Sequence, residues 1–523
     1  MLIDGRTLST RESLEADVCI VGAGAAGISL AKEFAGAQFS VILLEGGGTS
    51  FEHPSQFLHR GQSRGRAYPP PENTRRRQFG GTTAVWFGRC RALDAIDFET
   101  RPWFPNSGWP FGKDELDPFV LRALSLCQIE PGDFRVHEAV LAAVGLESKL
   151  FHFSPPTHFG QAYLQQLRAA SNLRVVLHAN ATEIELDPAG ARAERILCAT
   201  LNGKRLAVTA RLFILAAGGL ENPRLLLNSR EVHSAGIANS GDLVGRYFME
   251  HIYSFTAAVT AFPPDFPPEY LRLNYESFQR HIAPTPAVGL PESRMREQGL
   301  PNAGAFFVRR PIHKTDDRFY SSKMRGFISL VETLEHRRAP SRSILQYARE
   351  TIVNARTVLA LMGKAAKARL NGLSEYAIHL QIEPVPNRES RISLASSRDR
   401  LGVNQICVDW RLTPQDLDGV QRCGDLILHG LESCGLQTRR IRHERDEEGW
   451  PIFMPSSKHH MGTTRMSQDP KFGIVDENCR VHGVGNLYIA GSSVFPTAGM
   501  ANPTLTIIAL AVRLADHLKR ALG

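Results

Sequence analysis

Residues 17–45 read DVCIVGAGAAGISLAKEFAGAQFSVILLE, and the order of their parts decides the fold. DVCIV is a short, mostly apolar run, as a strand covered on both faces requires. Gly22, Gly24 and Gly27 follow as G-x-G-x-x-G, and ISLAKEFAGA continues with helical character. A second apolar run, FSVILL, ends at Glu45, 21 residues after Gly24. Each part has a physical task. Gly22 makes a tight turn, Gly24 lets backbone approach a pyrophosphate, and Gly27 allows close helix–strand packing. The helix N-terminus stabilises phosphate charge, and Glu45 can accept hydrogen bonds from ribose hydroxyls. An acid there disfavours a 2′-phosphate. The stretch predicts a dinucleotide-binding domain and by itself does not separate one dinucleotide from another.

Outward from this unit, residues 50–112 are rich in Pro, Gly and Arg and read mostly as loop. Residues 173–186 and 195–216 read as strands, and RLFILAAGG leads into a helix at ENPRLLLNS. The last 65 residues return to a strand, NLYIAG, and a long final helix. A chain of 523 residues is long for one hydrophobic core, so two domains are expected. The expected class is α/β. A Rossmann-like nucleotide-binding domain is assembled from 1–110, 170–250 and 457–523, and 111–169 is a connecting region. An inserted α+β substrate domain spans 251–456.

Composition narrows the function classes. The eight cysteines are scattered, without a C-x-x-C pair or zinc spacing, so no metal site is expected. The net charge is +8, but residues 337–370 carry eight Arg/Lys against the single acid Glu350. The rest of the chain is close to neutral, which argues against nucleic-acid binding. No apolar run reaches the roughly 20 residues of a membrane span. MLIDGRTLSTRESLEA lacks the apolar core of a secretory signal, so a cytoplasmic location is expected.

A second set of motifs lies over 400 residues from the first. KHHMGTTRM (458–466) precedes GIVDENCRVHGVGNLYIAGSSVFPTAGMANPTLTIIALAVRLADHL (473–518). With RRRQFGGTTAVW (75–86), ILAAGGLENPRLLL (214–227) and LVGRYFMEH (243–251), the chain resembles the glucose–methanol–choline oxidoreductases. The resemblance covers nearly the whole chain and is weakest over 255–370. It implies that the dinucleotide is FAD, held by Gly22, Gly24, Gly27, Glu45, Gly81 and Thr82, with Ala181, Ala217, Gly491, Asn502, Pro503 and Thr504. It places the catalytic histidine three residues before the G-T pair, at His459, and the second catalytic position at Asn502. That His/Asn pair looks most like the pyranose oxidase and cholesterol oxidase branches. His460 and His251 are read as structural neighbours. In relatives with covalent FAD a histidine stands where this chain has Val85, so non-covalent FAD is expected.

Asn502 also reads as the N-cap of the final helix, with Pro503 at its first position. EYAIHLQIEPVPNRESRISL (375–394) reads as a strand on which His379, Gln381 and Glu383 share one face. It resembles the family strand above the flavin, which makes the three candidate substrate contacts for a polyhydroxylated molecule. Ile344, Ala348, Ile352, Ala355, Leu359 and Met362 are spaced as one stripe of a basic helix. Arg342, Arg349 and Arg356 lie on another face. That segment is read as a solvated helix packed on the domain, with membrane-surface or protein docking as the alternative. The expected function is oxidation of an alcohol to a carbonyl, with a secondary hydroxyl of a sugar or glycoside first. His459 takes the hydroxyl proton, hydride passes to flavin N5, and oxygen or another carrier accepts the electrons. The alternatives are a sterol or other apolar alcohol as substrate, and a non-redox flavoprotein like the hydroxynitrile lyases.

Overall fold

The computed structural model describes residues 1–130, 132, 139–155, 157–274, 283–335, 344–452 and 454–523. Its first sheet runs Leu2–Asp4, Leu173–Leu177, Val41–Leu44, Glu12–Val21, Arg205–Leu215, Ala193–Ala199, Asn180–Leu186. Leu487–Ile489 pairs with Arg205–Leu215 off this path. All pairings are parallel except the two among Arg205–Leu215, Ala193–Ala199 and Asn180–Leu186. Val18, Cys19, Ile20, Val41, Ile42 and Leu43 are wholly buried, which fits the continuous apolar runs of a covered parallel sheet. The helices Ala25–Phe34 and Thr504–Leu522 belong to this core. The architecture is α/β, as the glycine motif predicts.

A second sheet carries the substrate side. It runs Gln437–Arg440, Ile252–Ala261, Ser374–Ile382, Ala303–Pro311, Thr285–Gly289, Glu147–Phe153, Arg89–Cys90. The helix Pro414–Ser433 packs Cys423, Ile427, Leu428 and Leu431 into the core behind it. Glu147–Phe153 comes from the stretch read as a connecting region. A third, small sheet joins Arg391–Arg398, Asn404–Trp410 and Gly61–Gly65.

Three sequence readings need correction. Residues 375–394 are not one strand: Ser374–Ile382 and Arg391–Arg398 belong to different sheets. Pro384 and Pro386 lie between them, and proline lacks the N–H that a ladder needs. The final helix begins at Thr504 with Pro503 as its cap residue, so Asn502 stands one residue outside and does not cap it. The basic segment forms two helices, Ile344–Val353 and Ala355–Leu370. Of its spaced stripe, Ile352 (73%), Ala355, Leu359 (65%) and Met362 are exposed and Ala348 is half-buried, while Tyr347, Val358, Leu361 and Ala368 turn inward. Arg342 lies outside the described residues. No described helix is long and apolar enough to cross a membrane.

Candidate active site

The parallel strands of the first sheet end at one rim, and a cavity of about 500 Å³ opens there. Gly22, Gly24, Glu45, Gly81, Thr82, Ala181, Ala217, Gly491, Asn502, Pro503 and Thr504 line it. Gly27 does not line it. A β-carbon on Gly27 would come within 1.8 Å of the Gly22 carbonyl, so this glycine serves helix–strand packing. Gly22 has φ +105° and abuts the Ala216 carbonyl, as a tight turn requires. At Gly24, Gly218 and Gly491, by contrast, an added β-carbon would enter open space. Those positions form a cradle that backbone, not side chains, offers to a ligand. Glu45 is fixed at its rim by the amides of Gly47 (2.8 Å) and Ala23 (3.1 Å), leaving carboxylate lone pairs for a ribose. The residues present fit a dinucleotide such as FAD.

His459 and Asn502 meet at the same cavity. Asn502 Nδ2 lies 3.2 Å from His459 Nε2, and His459 Nδ1 lies 2.7 Å from His251 Nδ1. His251 Nε2 is 2.8 Å from the Gly499 carbonyl oxygen. A carbonyl oxygen only accepts, so His251 carries its proton on Nε2. Burial pushes the His251 pKa down to about 4, so the ring is neutral and its Nδ1 accepts. His459 must then hold its proton on Nδ1, and its Nε2 is left as a lone pair. Asn502 is oriented independently. Gln381 Nε2 donates to the Met500 carbonyl and approaches Asn502 Oδ1 at 3.4 Å, which turns the Asn502 N–H group toward His459. Two adjacent backbone carbonyls thus set the proton positions of the whole array. Burial first, then the neighbouring His251, His460 and Arg89, holds His459 well below the usual histidine pKa.

The supports of the array come from distant parts of the chain. Glu383 Oε1 accepts from Arg101 (2.7 Å) and the Gly499 amide (3.1 Å), and its Oε2 accepts from Arg101 (2.8 Å) and the Asn302 amide (3.3 Å). Glu383 and the Arg101 side chain are buried, and removing one partner of such a pair costs about 3–5 kcal/mol. Glu250 is buried and accepts from Ser456 Oγ, Ser457 Oγ and Tyr68 OH, holding the segment that leads into His459. The Tyr68 proton goes to Glu250, so His460 Nε2 donates to the Tyr68 oxygen at 2.7 Å. His460 therefore faces a different partner from His459.

None of the three candidate substrate contacts lines the cavity. Glu383 has its oxygens taken by Arg101 and backbone. His379 is buried between Tyr253 and Phe255, with ring centroids at 4.6 and 4.7 Å. Gln381 acts on Asn502. Sequence reasoning missed the part of His251, read as a structural histidine, and of Glu250, Tyr68 and Arg101. The partners described above are 182 or more positions away in the chain, and no spacing rule joins them.

Comparison with known proteins agrees with this geometry. Family models for GMC oxidoreductases match residues 158–253 and 386–511. The 6'''-hydroxyparomomycin C oxidase of Streptomyces lividus is 24% identical over 96% of this chain and 92% of its own length. The C-glycoside 3-oxidase of Arthrobacter globiformis is 33% identical over 143 residues, 26% of each chain. With two further curated dehydrogenases the match spans only about half of the relative, 50% and 47%. A solved pyridoxine 4-oxidase, described as from Mesorbium loti, shares the fold with a TM-score of 0.58 at 18% identity, over 96% of this chain and 99% of that one. The glycine cradle, the histidine array and both family models point the same way: the chain belongs to the GMC oxidoreductases, a family of FAD-dependent enzymes.

Proposed function

We propose that the protein oxidises an alcohol to a carbonyl, with a secondary hydroxyl of a sugar or glycoside as the first substrate class. The observation that carries this reading is the His251–His459–Asn502 array, which leaves a neutral imidazole with an unprotonated Nε2 beside the Asn502 amide at the cavity. The Nε2 of His459 accepts the proton of the substrate hydroxyl. Asn502 offers an N–H to the same oxygen and holds it beside the base. A base whose pKa lies below the working pH is ready for that step without first losing a proton. FAD, held by the glycine cradle and Glu45, supplies the hydride acceptor when bound. The sugar reading is supported by relatives named as oxidases of a glycoside and of a hydroxyparomomycin. Val85 at the cavity, in the place of a linking histidine, supports non-covalent FAD.

An anaerobic screen of sugars, glycosides, sterols and simple alcohols tests this reading by flavin bleaching. At least one glycoside is expected to bleach the wild type, and His459→Ala to slow bleaching by about 10²–10⁴-fold. Acid precipitation of the same sample is expected to release intact FAD into the supernatant. Cyanohydrin turnover with an unchanged flavin spectrum would instead assign the site to lyase chemistry.

A further inference from the structure

Arg89 differs from the other cavity arginines whose charges the fold neutralises. Arg75 and Arg77 face Glu221, and Arg224 is bound to Glu221 and Asp399. The Arg89 side chain lines the cavity and is 5% exposed, yet its guanidinium makes no hydrogen bond or ion pair among the described residues. Its Nε is buried and unsatisfied. The Phe306 ring lies 4.5 Å from the guanidinium carbon.

Its position is on the substrate side. Arg89 lies in the edge strand Arg89–Cys90 of the second sheet, away from the glycine cradle of the first. Phe306 lies opposite His379 across that sheet. The Arg89 charge lowers the pKa of both His379 and His459, so the cation stands within electrostatic reach of the proton acceptor. A guanidinium stays charged however deeply it is buried. Burying it without a counter-group is costly, and an aromatic face offsets only part of that cost. A carboxylate would satisfy it with two parallel hydrogen bonds.

We infer that Arg89 binds an anionic group of the substrate, so that the preferred alcohol carries a carboxylate or a comparable oxyanion. This rests on the alcohol-oxidising reading and narrows its substrate class to hydroxy acids, acidic sugars among them.

The test uses the FAD-loaded enzyme. Acetate and glucuronate are titrated while the visible flavin spectrum and the heat of binding are followed, with glucose as the uncharged control. Both anions are expected to bind saturably. Arg89→Gln should weaken them by about 10–100-fold, the usual worth of a charge-assisted hydrogen-bonding group, and Arg89→Lys should recover part of the loss. In turnover, the ratio of kcat/KM for p-nitrophenyl glucuronide to that for p-nitrophenyl glucoside should fall by a similar factor in Arg89→Gln, which separates the anion contact from any effect of the lost charge on His459. Equal anion binding by wild type and Arg89→Gln overturns the inference. So does loss of FAD from Arg89→Gln, which would assign the arginine to the cofactor. Anion binding through Arg89 with no alcohol oxidised would overturn the oxidation reading and leave the anion site standing, because the titration needs no turnover.

Discussion

His251 carries no chemistry of its own in this scheme, yet it decides which nitrogen of His459 is basic. Replacing it by Leu removes the acceptor for the His459 Nδ1 proton and frees the ring to turn or change tautomer. The expected result is a fall in kcat of about 10²-fold with KM little changed, below the ~10⁴ measured where a charged orienting group is replaced. His251→Gln, whose amide can donate to Gly499 and accept from His459, should recover part of it. The pH profile provides a check that a merely structural role would not move. Burial depresses the pKa of His459, so protonation of the base begins below the ordinary histidine value of about 6.5. The acid limb of kcat/KM in the wild type should therefore lie below pH 6.5. In His251→Leu, without the neighbouring ring, it should move. An unshifted limb with lowered kcat would argue against the orienting role.

At the scale of an element, the turn Gly499–Asn502 before the last helix is the piece on which both halves of the array converge. Its Gly499 carbonyl fixes His251, its Gly499 amide binds Glu383, and its Met500 carbonyl fixes Gln381. Gly499 sits at φ +57°, and a β-carbon there would meet Asp97 Oδ2 at 2.5 Å and Leu93 Cδ2 at 2.6 Å. Gly499→Ala is expected to destabilise the fold by about 1–3 kcal/mol, the cost of local backbone strain. It should also lower kcat as His251→Leu does, because the turn must shift. Thermal unfolding and stopped-flow reduction measure the two effects. Normal kcat in a correctly folded Gly499→Ala would show that the turn does not set the array.

Across the whole molecule, the buried cluster of Arg101, Glu383, Asp97 and Asn302 ties the strand ends of the second sheet to that turn. Asp97 is wholly buried, and burial, with Glu383 and Asp94 nearby, pushes its pKa up to about 8. Its folded-state pKa is thus above the unfolded value of about 3.9. Its stability contribution is complete below about pH 4, declines as pH rises toward 8, and levels off beyond. Asp97→Asn keeps an acceptor for Asn302 and does not titrate. The stability of Asp97→Asn relative to wild type should rise by up to about 1.4 kcal/mol per pH unit over that window. Denaturant unfolding at pH 5 and pH 8 measures it, and a constant difference would show that Asp97 is ionised in the fold.

Local patterns were enough for the dinucleotide half of the protein. Gly22, Gly24, Gly27 and Glu45 sit within one strand–turn–helix–strand unit, and their roles follow from contacts among near neighbours in the chain. The motif around His459 and Asn502 likewise singled out, through its resemblance to a family, two residues that meet at the cavity. What spacing could not reveal is how those positions are set. His251 and His459 are 208 residues apart, Arg101 and Glu383 are 282, and Gln381 and Asn502 are 121. Alternation along 375–394 put Glu383 on a substrate face, but the strand ends at Ile382 and a buried arginine takes the carboxylate. The spaced apolar residues of 344–362 gave a helix period but not the side that packs, because periodicity is the same for a stripe turned inward or outward. Tertiary structure decided these points, since proton positions, ion pairing and burial depend on which distant groups share a volume, and that is not a property of any short stretch of chain.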